Sequence, residues 1–128
     1  MMRQPATRSG PWLVALAGAS GVLLGAFGAH ALRGHLDAPA MGWWQTAVQY
    51  QLWHALALAL AVHAGRDRAG RVAVVAFAIG IVLFSGSLYA MALGAPRWFG
   101  AITPLGGVGF IVGWIALALA MKRSNGAG

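Results

Sequence analysis

The sequence predicts an all-α fold: an integral membrane four-helix bundle, antiparallel and up-down, with both termini in the cytoplasm. Three observations carry that prediction. Of 128 residues, 59% are hydrophobic and only 9% charged, with a mean hydropathy of +0.71, whereas a soluble domain carries about a quarter charged residues. Four apolar runs stand out, near 12–31, 43–63, 72–93 and 102–121. At about 1.5 Å per residue each reaches across a hydrocarbon core of about 30 Å. The basic residues are also unevenly placed. Arg3, Arg8, Arg66, Arg68, Arg71, Lys122 and Arg123 fall at the ends and in the middle connection, against Arg33 and Arg97 in the other two. Cationic connections stay on the cytoplasmic side, so this split predicts N-in and C-in topology.

The net charge of +7 would point to nucleic acid in a soluble chain. Here the cations set topology, so the expected partner is the lipid bilayer and not nucleic acid. The chain has no cysteine, which removes disulfides, iron–sulfur clusters and thiolate sites. The domain organisation follows: 1–11 and 122–128 as cytoplasmic tails, 12–121 as the four-span domain.

The first span resembles a signal peptide superficially, with a basic start and Ala29-His30-Ala31 in the position of a cleavage site. Its apolar run exceeds the roughly 7–15 residues of a signal peptide core. It also places Gly18, Gly21, Gly25 and Gly28 at spacings of three, four and three. Such a glycine face lets another helix approach closely, so the span is expected to be retained. Asp37 is a good N-cap and Pro39 fits a first helical turn, which starts the second helix near Ala38. Trp43 and Trp44 then mark the interface. The connection GRDRAGR joins antiparallel neighbours. The third span carries Ser85, Ser87 and Tyr89, and Thr103-Pro104 begins the fourth, where Gly109 and Gly113 continue the small-residue pattern. No internal repeat of the kind that marks inverted-repeat transporters is visible.

The second span, WWQTAVQYQLWHALALALAVH, is the one around which the others are organised. Gln45, Thr46, Gln49, Tyr50, Gln51 and His54 interrupt its apolar run. In hydrocarbon each polar group is costly unless paired, so this face must be covered by other helices. Tyr50 and His54, four apart, share a helical stripe with Gln51. Counting from Trp44, Tyr50 lies about 9 Å deep and His54 about 15 Å, at the midplane. The same count puts His30 and Tyr89 within about 6 Å of the outer ends of their spans.

Four segments resemble a known family: GAFGAHAL (25–32), TAVQYQLWHALAL (46–58), LFSGSLYAMAL (83–93) and ITPLGGVGFIVGW (102–114). In this order they are similar to domain of unknown function family 423, also called uncharacterised protein family 0382, small membrane proteins that include bacterial inner-membrane proteins and a mitochondrial-type relative. The resemblance runs from Trp12 to Met121. It implies a four-span protein of the inner membrane and supplies no reaction.

The candidate polar network or ligand path is His30, Gln49, Tyr50, His54, Ser85, Ser87 and Tyr89, and the helix-packing small residues are Gly21, Gly25, Gly28, Gly109 and Gly113. The expected partners of His54 are Tyr50 and a serine of the third helix. The network is expected to fix helix register or act as an interaction element. The alternative is a passive channel, transporter or small-ligand site using the His, Tyr and Gln groups. None of the four spans holds Asp, Glu, Lys or Arg, which weighs against a coupled pump. Depth weighs against haem within one chain: axial ligands face each other about 4 Å apart across iron, while His30 and His54 differ by about 12 Å. Two copies of His54 from neighbouring protomers would escape that objection, but nothing in the sequence supports them. Too few ligands are present for a metal, and no nucleophile with a base and orienting acid is visible. No cofactor and no catalysis are therefore expected. A homo-oligomer or another membrane protein is left open as partner.

Overall fold

A computed structural model describes residues 9–126. Arg3, Arg8 and the first eight residues of the expected N-terminal tail lie outside it, as do the last two of the C-terminal one. The described chain forms α1 (Gly10–His30), α2 (Ala38–Ala64), α3 (Arg68–Ala92), a short 3₁₀ helix (Arg97–Ala101) and α4 (Thr103–Gly126).

Local chemistry sets the boundaries. The Asp37 carboxylate accepts from the Ala40 N–H at 2.9 Å and opens α2. Asp67 does the same for α3 through Gly70 N–H, also at 2.9 Å. Each satisfies an orphan donor of a first helical turn. At the end of α3, Gly94 adopts φ +108°. Its N–H reaches Met91 O, and Ala95 N–H reaches Ala90 O, a Schellman closure that needs the left-handed glycine. The helices run past the apolar spans, α2 beginning at Ala38 and α4 continuing to Gly126. Hydropathy marks only the part of a helix that lies in hydrocarbon, whereas backbone hydrogen bonding continues into the interface.

Consecutive helices pack antiparallel, α1 on α2, α2 on α3 and α3 on α4, with a smaller α2–α4 contact. Among the described residues α1 and α4 do not touch. The arrangement is therefore a three-helix core of α2, α3 and α4 with α1 laid along the outside of α2, not a closed four-membered ring. A helix whose packing surface is one strip of small residues can bury only that strip.

The core is made of small residues and a few rings. Ala47, Ala61, Ala73 and Phe77 are fully inaccessible, with Leu58, Phe110 and Leu117 beside them. Large aliphatic side chains point outward instead, Leu16 at 68% and Ile111 at 62% exposure among them. That inversion suits a hydrocarbon solvent, in which small residues allow close helix contact and lipid covers the rest.

Three stretches are long and apolar enough to cross a membrane: Gly10–His30, Arg68–Ala92 and Arg97–Gly126. The fourth expected span, α2, does not reach that standard. Its three glutamines, Tyr50, His54 and His63 offset the Leu and Ala of its second half. Yet α2 buries nine of its residues where α1 buries four, Gln51 and His54 among them, while Gln45, Gln49 and His63 stay exposed.

Candidate functional site

Two polar clusters sit one turn apart on α2. The first is centred on Gln51, which is 4% exposed. Its Nε2 donates to Ala17 O at 2.9 Å and to Ser20 Oγ at 2.8 Å, both on α1. Its Oε1 accepts from the Tyr89 hydroxyl of α3 at 2.7 Å. A single amide thus joins three helices with both donors and its oxygen engaged. Above it, Trp44 Nε1 donates to Leu24 O at 2.9 Å. The same indole meets the Tyr89 ring edge-on at 4.7 Å between centroids.

The second cluster is centred on His54, 5% exposed. Its Nδ1 lies 2.7 Å from Tyr50 O and its Nε2 receives the Trp114 indole N–H at 3.2 Å. A carbonyl only accepts and an indole N–H only donates. The proton must therefore sit on Nδ1, with Nε2 bare. One neutral tautomer meets both contacts, and an imidazolium would set its Nε2–H against the indole donor. The ring stacks on Phe110 at 3.5 Å between centroids and 10° between planes. Phe77 and Tyr50 complete an aromatic surround at 5.9 and 6.0 Å.

The serines divide between these neighbourhoods. Ser85 Oγ donates across to Ala47 O of α2 at 2.7 Å. Ser87 Oγ donates to Phe84 O of its own helix at 2.9 Å. That uses its one proton, so the 2.6 Å contact with Thr103 Oγ1 is donated by the threonine. Among the described residues no buried side-chain nitrogen or oxygen lacks a partner. No group of three metal-ligating side chains is present among them either.

Of the expected network, His54, Ser85, Ser87 and Tyr89 are buried or half-buried between helices, and Tyr50 enters through its carbonyl and ring. The partners differ from expectation at His54. Tyr50 contributes its backbone rather than its hydroxyl, and Trp114 of α4 stands where a serine of α3 was expected. His30 and Gln49 are exposed, facing outward and away from the cluster. Gln49 instead lines a groove of about 410 Å³ between α1 and α2, with Gln45, Val48, Trp44 and Gly25. The expected packing glycines lie against other helices. A Cβ on Gly21 would come within 2.7 Å of Leu52 and one on Gly113 within 2.6 Å of Phe77. Gly25 faces Val48, Gly28 the Trp44 indole and Gly109 the Ala76 carbonyl.

Gln51, Ser20, Trp44, Thr103 and Trp114 take part in these hydrogen bonds and are absent from the expected network, although Gln51 shares the expected stripe of Tyr50 and His54. A signal for Trp114 existed. It lies eleven residues beyond Thr103, about 16 Å along the helix, at the same depth as His54 and too deep for an interfacial anchor. Ser20 carried no such signal.

Residues 24–107 match the family model described as protein of unknown function, DUF423. A "UPF0382 membrane protein" of Haemophilus influenzae is 47% identical over 115 residues, covering 88% of this chain and 93% of that protein. The "UPF0382 inner membrane protein YgdD" of Escherichia coli K12 is 44% identical over 121 residues, covering 87% of this chain and 89% of its own. From Bacillus subtilis, the "UPF0382 membrane protein YwdK" is 44% identical over 105 residues, 78% and 85% of the two chains. No solved structure matches the chain.

Proposed function

The chain belongs to the DUF423 family of UPF0382 membrane proteins, and from that premise we propose a four-span inner-membrane protein without catalysis, whose polar centre locks helix register. Both termini are cytoplasmic in this reading. The seven-to-two split of basic residues supports the orientation. The Asp67–Arg123 contact at 3.6 Å supports it further, since it joins the middle connection to the end of α4. Support for a spanning α2 comes from its antiparallel packing along both α1 and α3, each apolar enough to cross by itself.

The observation that carries the structural role is the saturation of the two centres. Gln51 has two donors and one acceptor engaged on α1 and α3, and both ring nitrogens of His54 are engaged. A solute site keeps donors or acceptors free for its solute; these are already occupied by the protein. A second reading, a passive channel or small-ligand site, is favoured by the α1/α2 groove, where the amides of Gln45 and Gln49 face outward.

The structural role is tested by a double-mutant cycle on Gln51→Leu and Tyr89→Phe, read as unfolding free energy in detergent. A register lock gives a coupling of about 0.6–1.7 kcal/mol, the range for hydrogen bonds between membrane helices. Strictly additive losses would remove the lock.

A further inference from the structure

The chain has nine basic and two acidic residues, and both acids are engaged. Asp37 caps α2. Asp67 caps α3 through one oxygen and faces Arg123 with the other. Arg68 and Arg71, in the first turn of α3, make no ion pair among the described residues, and that turn contains no acidic residue. The one carboxylate at this helix start, Asp67, is taken up by the cap and by Arg123, which leaves the two guanidinium groups available to an external anion.

These arginines begin an open face of α3 that turns apolar. A shallow groove of about 660 Å³ on this face is lined by Arg68, Arg71, Val72, Val75 and Ala76. Measured from Arg68, these positions fall at three, four, seven and eight residues, one continuous helical stripe. Val72 is 42% and Val75 54% exposed, on a helix apolar enough to cross a membrane. The groove is cationic at its outer end and apolar from there toward the middle of α3.

We propose that this groove binds an anionic phospholipid, its phosphate held by Arg68 and Arg71 and an acyl chain lying along Val72, Val75 and Ala76. Guanidinium groups match phosphate oxygens in paired hydrogen bonds. Basic pockets beside membrane helices suit such headgroups. A free phosphate would use the arginines but not the valines. The inference requires α3 to lie in a bilayer and depends neither on the orientation of the termini nor on the role of the Gln51 and His54 centres.

The test titrates the full chain in detergent with phosphatidylglycerol, or with phosphatidylcholine of equal chain length, and counts bound lipids by native mass spectrometry. Phosphatidylglycerol should be retained in preference. Arg68→Gln or Arg71→Gln should each weaken it by about fivefold, and the pair by about thirty-fold. Arg68→Lys with Arg71→Lys keeps the charge and loses the paired hydrogen bonds, so its affinity should fall between wild type and the double glutamine variant. Arg66→Gln, outside the groove, should stay close to wild type. All of these side chains are exposed, so melting temperatures should not move, and the single variants serve should the pair fold poorly. Equal retention of both lipids, a double glutamine variant that binds like wild type, or an equal loss in Arg66→Gln would overturn the proposal. So would inorganic phosphate displacing the lipid as an equal competitor, which would leave an anion site with no recognition of the acyl chain.

Discussion

Gln51 and His54 are three residues apart on α2, yet they tie different helices. Gln51 reaches α1 and α3; His54 reaches α4. That division follows from side-chain direction around one helix, and it makes α2 the common member of both centres. The sequence announces these groups by their cost in hydrocarbon, but not their partners, because an acceptor such as Ala17 O or Leu24 O is backbone and has no residue signature. His54 lends itself to a specific expectation. In ¹⁵N NMR of the folded protein, Nδ1 should carry the proton and Nε2 should be bare. A proton on Nε2 would contradict the Trp114 contact. His54→Leu leaves the Trp114 N–H without its acceptor and should cost about 1–3 kcal/mol. His54→Gln can still accept from the indole and should cost less, as chemical unfolding of both variants would show.

At the scale of elements, the glycine pattern of α1 was legible, though its central line was not. The seam facing α2 runs through Ala17, Gly21, Leu24 and Gly28, with Ala17 and Leu24 also giving carbonyls to Gln51 and Trp44. Gly25 lies roughly 70° and Gly18 roughly 90° round the helix from that seam, given 3.6 residues per turn. A Cβ on Gly18 meets nothing within 4 Å, and one on Gly25 meets only Val48 at 3.1 Å. Spacing alone placed all four on one face because they share a sector about 80° wide, of which only the Gly21 and Gly28 side meets α2 squarely. The energetic consequence differs sharply along the row. Gly21→Leu must displace Leu52 and Gly113→Leu must displace Phe77, each costing at least the overpacking penalty of about 1–3 kcal/mol. Gly18→Ala should leave stability unchanged or raise it by up to about 1 kcal/mol, the helix propensity of alanine over glycine. Thermal stability in detergent distinguishes them. A Gly18→Ala variant that melts as early as Gly21→Leu would show that the seam is misplaced.

For the molecule as a whole, composition made the membrane class and the helical architecture plain, since 59% hydrophobic residues with 9% charged leave no aqueous core to build. What composition obscured is the place of α2. Gln51 and His54 lower its apolarity because they lie between helices, not against lipid, and the exposed Gln45, Gln49 and His63 lower it further. The open arrangement, with α1 chiefly on α2 and clear of α4, was equally hidden: small residues mark a helix as able to pack and do not say on what. Topology can be tested directly. Reporter fusions after Gly65 and after Gly94 should fall on opposite sides of the membrane, and the same side for both would mean that α3 does not cross. The central claim, that the polar centre is saturated by the protein itself, is tested most directly by flux. Proteoliposomes holding wild-type protein should pass protons and small polar solutes no faster than protein-free vesicles. Flux above that baseline that disappears in a folded His54→Gln variant would contradict the account.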